Sequence, residues 1–121
     1  MARILVCDDD PSVRSLLDIT LSFDHDVTTV ENGQEAVEYL AEHPDVQILL
    51  LDVMMPVLDG LATLRVLRAN DATATLPVLM LTAKAMESDI KAGMLAGASA
   101  YLSKPFDPLE VETLVLELTG E

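Results

Sequence analysis

Acidic side chains follow two of the short apolar runs in this sequence. Asp8-Asp9-Asp10 comes after Ile4-Leu5-Val6-Cys7, and Asp52 after Ile48-Leu49-Leu50-Leu51. Thr82 follows Val78-Leu79-Met80-Leu81, and Lys104-Pro105 follows Tyr101-Leu102-Ser103. Singly, each residue has an ordinary explanation: an Asp after a strand is most often a loop residue or helix cap, and a lone Thr or Lys there is generic. Gathered in one place, they would make a carboxylate pocket with one ammonium. Carboxylates about 4 Å apart repel by about 4 kcal/mol per pair at an effective dielectric near 20. Such a cluster needs raised pKa values, a bound cation, or both. The donors are hard oxygens with no Cys–His set nearby, which suits Mg²⁺ rather than zinc. Mg²⁺ on one or two carboxylates keeps positions open for phosphoryl oxygens and screens an incoming dianion from an attacking carboxylate.

These residues can meet only if strand ends converge. Apolar runs alternate with amphipathic stretches five times, predicting strands over Arg3–Cys7, Asp26–Val30, Gln47–Leu51, Pro77–Leu81 and Ser99–Ser103. Runs without polar alternation belong to strands covered on both faces. The first helix starts at Asp10-Pro11, a capping carboxylate followed by proline, and carries Val13, Leu16, Leu17, Thr20 and Leu21 as one apolar stripe. The second spans about 33–42 with Ala36, Val37, Leu40 and Ala41 inward, the third about 60–69 and the fourth about 87–96. The last opens at Asp107-Pro108, where Glu110 completes a capping box, and buries Val111, Val115 and Leu118. Leu116 is expected to face outward as a partner or dimer contact. Five β-then-α units without a linker predict an α/β fold, one domain over 1–121. Its five-stranded parallel sheet is doubly wound in the order 2-1-3-4-5, flavodoxin-like. Ligands in such sheets bind beyond the carboxyl ends of the strands, where the order reverses.

The 21 acids against 7 bases give a formal charge of −14. The bases (Arg3, Arg14, Arg65, Arg68, Lys84, Lys91 and Lys104) are scattered, which argues against nucleic acid or an anionic membrane as direct partner. Cys7 is the single cysteine, so no internal disulfide forms, and its apolar setting predicts a buried, inert thiol. No signal peptide opens the chain and no apolar run approaches a membrane span, so a cytoplasmic location is expected. His25 and His43 are expected in surface loops. The aromatic residues are two Phe and two Tyr, so the core must be aliphatic.

The segments Ile4 to Asp10, Leu51-Asp52-Val53-Met54-Met55-Pro56-Val57-Leu58-Asp59-Gly60, Leu81-Thr82-Ala83 and Tyr101 to Phe106 together resemble response-regulator receiver domains. The resemblance covers the whole chain, in the family's order and spacing. It implies a CheY-like phosphoacceptor module of a two-component phosphorelay, which catalyses only its own phosphorylation and dephosphorylation. Asp52 then matches the phosphoacceptor, served by a sensor histidine kinase or histidine phosphotransfer protein. Asp8, Asp9, Asp52 and the Met54 main-chain carbonyl match the Mg²⁺ ligands, Asp8 through water. Lys104 matches the cation that pairs with phosphoryl oxygens, and Thr82 the hydroxyl that moves toward them. Tyr101 matches the switch aromatic that carries the change to the face of the fourth helix, fifth strand and fifth helix. That face would meet an effector or output domain, or a second copy on phosphorylation. Ala83 is the small residue beside the pocket, Lys84 and Met54 tune phosphoryl lifetime, and the Lys104–Pro105 bond is cis. Gly93 weakens the fourth helix or serves its packing.

The competing enzyme reading is an aspartate-nucleophile phosphatase of the haloacid dehalogenase type, distantly suggested by Asp8-Asp9-Asp10. It would want a further acidic pair at a late strand end, where Thr82 and Lys104 stand. A flavodoxin-like flavin carrier would want free backbone N–H groups after the first strand, where Asp8-Asp9-Asp10-Pro11 offers repelling charge.

Overall fold

The computed structural model describes residues 1–55, 57–82 and 87–120, the side chains of 87–89 excepted. Five strands alternate with five helices: β1 Arg3–Cys7, α1 Pro11–Leu21, β2 Asp26–Val30, α2 Gly33–Glu42, β3 Ile48–Asp52, α3 Gly60–Ala69, β4 Val78–Thr82, α4 Glu87–Ala96, β5 Ala100–Ser103 and α5 Pro108–Thr119. All neighbours pair in parallel, in the order β2-β1-β3-β4-β5.

Strand parity sorts the core into two layers. Leu5, Cys7, Leu49, Leu51 and Met80 point to one face, where Ala36 and Leu40 of α2 and Leu64 and Leu67 of α3 cover them. Ile4, Val6, Ile48, Leu50, Leu79 and Leu81 point to the other, under Leu17 and Leu21 of α1 and Val111 and Val115 of α5. Period-two side chains on a strand buried on both faces leave no polar position, which is why β3 and β4 are apolar until Asp52 and Thr82.

Each described helix start is capped locally. Asp10 accepts from Ser12 N–H (2.8 Å) with Pro11 in the first turn, and Asp59 accepts from Ala62 N–H (2.8 Å). At α2 the bracing is reciprocal: Asn32 accepts from Glu35 N–H (2.9 Å) while the Glu35 carboxylate accepts from Glu31 N–H (2.8 Å). At α5 Asp107 takes the N–H of Leu109 (2.9 Å) rather than entering a box with Glu110. Among the described residues, no helix is long and apolar enough to cross a membrane.

Several expectations are corrected. Strands β3 and β4 run one residue later than the expected 47–51 and 77–81: they start with their apolar runs at Ile48 and Val78 and extend one residue past them, because Asp52 and Thr82 still pair in the ladder. Strand β5 starts one residue later than expected, at Ala100. Leu16 and Ala41 lie at the edges of their helical stripes and are exposed, and Leu118 is only half-buried. His25 is no surface residue: it is buried, accepts from Ala2 N–H at Nδ1 (2.9 Å) and pairs through Nε2 with Glu112 (2.8 Å). It thereby ties the start of β1 to α5. His43 caps α2, its ring stacked on Tyr39. Leu116 does face outward. Arg68 donates twice to the Gly97 carbonyl (3.0 and 2.9 Å) and once to that of Thr73 (2.9 Å), pinning the end of α4 to α3.

Candidate active site

Register alone brings the chemistry together. Cys7 pairs with Leu51, so Asp8 and Asp52 leave adjacent strands side by side. Asp52 pairs with Leu81 and Thr82 with Ser103, so Thr82 and Lys104 follow in turn along the same edge. The result is one pocket. Carboxylate oxygens of Asp8, Asp9 and Asp52 all lie within 4.8 Å of one another. The Lys104 ammonium reaches in from β5, donating to Asp8 Oδ2 (2.8 Å) and Asp52 Oδ1 (3.2 Å). Asp8, Asp52 and Thr82 are buried, while Asp9 is exposed at the mouth.

Both Asp8 oxygens are engaged, Oδ2 by Lys104 and Oδ1 by the Asp10 N–H (2.9 Å). Arg14, which the sequence did not single out, donates to the Asp8 main-chain carbonyl (2.8 Å) and pairs with Glu31. The Lys104–Pro105 bond is cis. Cys7 lies beneath the pocket against the Met55 sulfur (3.5 Å). Burial first, then the nearby Asp8 and Asp52 charges, push its thiol up to about 12, which makes it inert.

The electrostatics follow from burial and crowding. Burial, then the Asp8 charge, raises Asp52 from 3.8 to about 6, although Lys104 and the Met54 N–H pull it back. Burial alone would lower Lys104; its hydrogen bond to Asp8 and the charges of Asp52 and Asp8 outweigh that and leave it raised. Three carboxylates face one ammonium. The donor set is therefore all oxygen and under-neutralised, which fits a hard divalent cation.

The loop after Asp52 is held close by two glycines. A Cβ on Gly60 would sit 2.7 Å from Val53 Cα and overlap the Asp52 carbonyl, and one on Gly33 would overlap Thr63 Oγ1 and the Leu58 carbonyl. Neither close approach tolerates a side chain. The Gly60 N–H closes the loop onto the Val53 carbonyl (2.9 Å). Met54 is exposed, and with Asp9, Val53, Met55, Asp59 and Leu61 it lines a cleft of about 530 Å³ beside the pocket. Tyr101 lies on β5 with the outer end of its ring against Gly93 of α4. Ala83 and Lys84 lie outside the described residues.

The chain is similar to known proteins along most of its length. The family profile described as the response regulator receiver domain matches residues 4–116. Response regulator Rre1 of Synechocystis is 40% identical over 117 residues, 95% of this chain and 50% of that protein. Response regulator MprA of Mycobacterium ulcerans is 49% identical over 106 residues, 86% of this chain and 44% of that protein. The chain thus spans about half the length of these relatives. A solved receiver domain of sensor histidine kinase PA1611 from Pseudomonas aeruginosa superposes with a TM-score of 0.89 at 32% identity, covering 99% of this chain and 98% of that one. Its active-site cleft coordinates a magnesium ion. The phosphatase alternative finds no such support, and with four strand ends delivering carboxylates, a hydroxyl and an ammonium to one edge, the chain belongs to the receiver-domain family of two-component response regulators.

Proposed function

We propose that Asp52 is the phosphoacceptor, charged by a phosphohistidine-bearing kinase or phosphotransfer protein. The observation that carries this reading is the Lys104 ammonium seated between Asp8 (2.8 Å) and Asp52 (3.2 Å) within the carboxylate cluster. At neutral pH Asp52 is above its raised pKa of about 6 and offers an anionic oxygen. That oxygen attacks phosphorus in line; the O–P bond forms as the N–P bond to the donor imidazole breaks, and the imidazole takes up a proton. The protein's work is positioning and charge neutralisation. Lys104 turns from the carboxylates to the phosphoryl oxygens, and the Thr82 hydroxyl, next along the sheet edge, can donate to them.

Asp9, Asp52 and the Met54 carbonyl would hold Mg²⁺ directly. Asp8 would act through water, consistent with both its oxygens being engaged already. When bound, the ion neutralises the pocket and the incoming phosphoryl charge. The domain is a signalling module: its reaction is on itself, and the charge added at Asp52, about −1.5 to −2, is its output. Thr82 and Tyr101 would pass the change to the surface of α4, β5 and α5, for an effector, an output domain or a second copy. Residues at the Met54 and Lys84 positions would set the phosphoryl lifetime. A cytoplasmic site of action suits a kinase-fed module.

The test is exposure to acetyl phosphate or beryllofluoride with and without Mg²⁺. A Mg²⁺-dependent adduct in the parent, absent in Asp52→Asn, is expected; an adduct of equal yield in Asp52→Asn would refute the assignment.

A further inference from the structure

Val57, in the loop after β3, has φ 69°. That left-handed conformation suits Gly, Asn or Asp and is unfavourable for a β-branched residue. The residue is 82% exposed, so no burial within the domain compensates. The loop dictates the conformation: Gly60 N–H is bonded to the Val53 carbonyl, Asp59 caps α3, and Thr63 Oγ1 donates to the Asp59 carbonyl (2.7 Å), with Gly33 pressed against Leu58. Whatever stands at 57 must adopt it, and Gly or Asn would do so more cheaply. The isopropyl group is therefore present for what it meets outside the domain.

What it meets is indicated by its surroundings. Exposed Met54 and half-buried Leu61 share its loop and the adjoining helix, and Met54 and Leu61 line the cleft of about 530 Å³ that Asp9 joins to the carboxylate pocket. A small phosphodonor that reaches Asp52 has no atoms to spare for Val57. A macromolecular donor whose phosphorylated side chain enters the pocket also reaches the exposed loop that follows Asp52, to which Met54 and Val57 belong.

We infer that Val57 is a specificity-determining contact for the protein phosphodonor, which lays an aliphatic or aromatic side chain over Val57 and into the cleft of Met54 and Leu61 beside its phosphohistidine. This rests on the phosphoacceptor reading of Asp52 and adds to it the chemistry of the partner's rim.

Val57→Gly, Val57→Asn and Val57→Ile are compared with the parent using two donors. One is acetyl phosphate; the other is an autophosphorylated histidine-kinase fragment chosen because it charges the parent. Val57→Asn should melt above the parent, since Asn accepts the left-handed backbone. All three variants should react with acetyl phosphate at the parent's rate. Transfer from the kinase should fall by about fivefold or more in kcat/KM for the Gly and Asn variants, the loss typical of truncating an interface anchor, and be kept by Val57→Ile. Unchanged kinase transfer in the Gly and Asn variants, or an equal fall with both donors, would overturn the inference alone. Charging by either donor that persists at equal yield in Asp52→Asn would overturn the phosphoacceptor reading with it.

Discussion

Gly93 and Tyr101 are in direct apposition: a Cβ on Gly93 would stand 2.6 Å from Tyr101 Cζ and overlap the rest of the ring's outer edge. Of the two roles the sequence allows this glycine, weakening of α4 or packing, the structure shows packing. The far end of a tyrosine can swing away, so Gly93→Ala should not unfold the domain. It should trade about 1 kcal/mol of helix propensity against displacement of the ring. In a Tyr101→Ala background the ring no longer opposes the added methyl, and Gly93→Ala should then stabilise by about 1 kcal/mol. A double-mutant cycle by urea unfolding measures the difference. Equal effects in both backgrounds would mean that the ring does not lean on Gly93.

Removing the charge of Asp52 should stabilise the metal-free protein at neutral pH. Its pKa is raised from 3.8 to about 6, chiefly by burial and then by Asp8. Below 3.8 the carboxyl is protonated in both folded and unfolded chains and contributes nothing. Between 3.8 and about 6 the unfolded chain loses its proton while the folded one keeps it, so stability falls as pH rises. Above that the penalty is complete. Asp52→Asn in EDTA should therefore gain about 1–3 kcal/mol at pH 7.5, and the gain should shrink to nothing near pH 4. Urea titrations at the two pH values check this; a gain that does not depend on pH would contradict it.

Much of this was legible from the residues. The bounds of β1, β2, α2, α3 and α4 coincide with those expected. The central strands of a sheet covered on both faces are written as aliphatic segments, while edge strand β2 shows as a short β-branched run of Val and Thr. The pocket was legible too, since each of its side chains stands at a strand end. The features that escaped depend on contacts made only once the elements pack, most of them between residues far apart in the chain. Buried His25 meets Ala2 and Glu112, Arg68 meets Gly97, and Arg14 meets the Asp8 carbonyl. No local pattern marks such contacts. Leu16 and Ala41 were misplaced because a helical stripe has edges, and spacing alone does not say which edge the neighbouring element covers.

The under-neutralised pocket predicts a metal response. Mg²⁺ at about 100 times its dissociation constant should stabilise the folded domain by about 2.7 kcal/mol, read as a rise in Tm. Asp9 is exposed at the mouth, so Asp9→Asn should fold normally and lose most of that rise. Asp8→Asn should lose it with a cost to the metal-free fold, because Asp8 is buried and holds Lys104 (2.8 Å). A full Mg²⁺ response in Asp9→Asn would remove Asp9 from the ligand set.

The last expectation concerns the opposite edge of the sheet. The Ala2 N–H donates to His25 Nδ1 (2.9 Å), so the ring's proton belongs on Nε2, where it faces Glu112 Oε1 (2.8 Å). His25→Leu keeps much of the volume but leaves the Ala2 N–H without its acceptor in a buried setting, at a cost of about 1–3 kcal/mol. Glu112→Gln still presents an acceptor to Nε2 and should cost less than about 1 kcal/mol. ¹⁵N spectra of the ring should show Nε2 carrying the proton. Because this latch joins β1 to α5 away from Asp52, neither substitution should change the yield of the acetyl phosphate adduct. If Glu112→Gln proved as costly as His25→Leu, charge rather than hydrogen bonding would be what holds this edge closed.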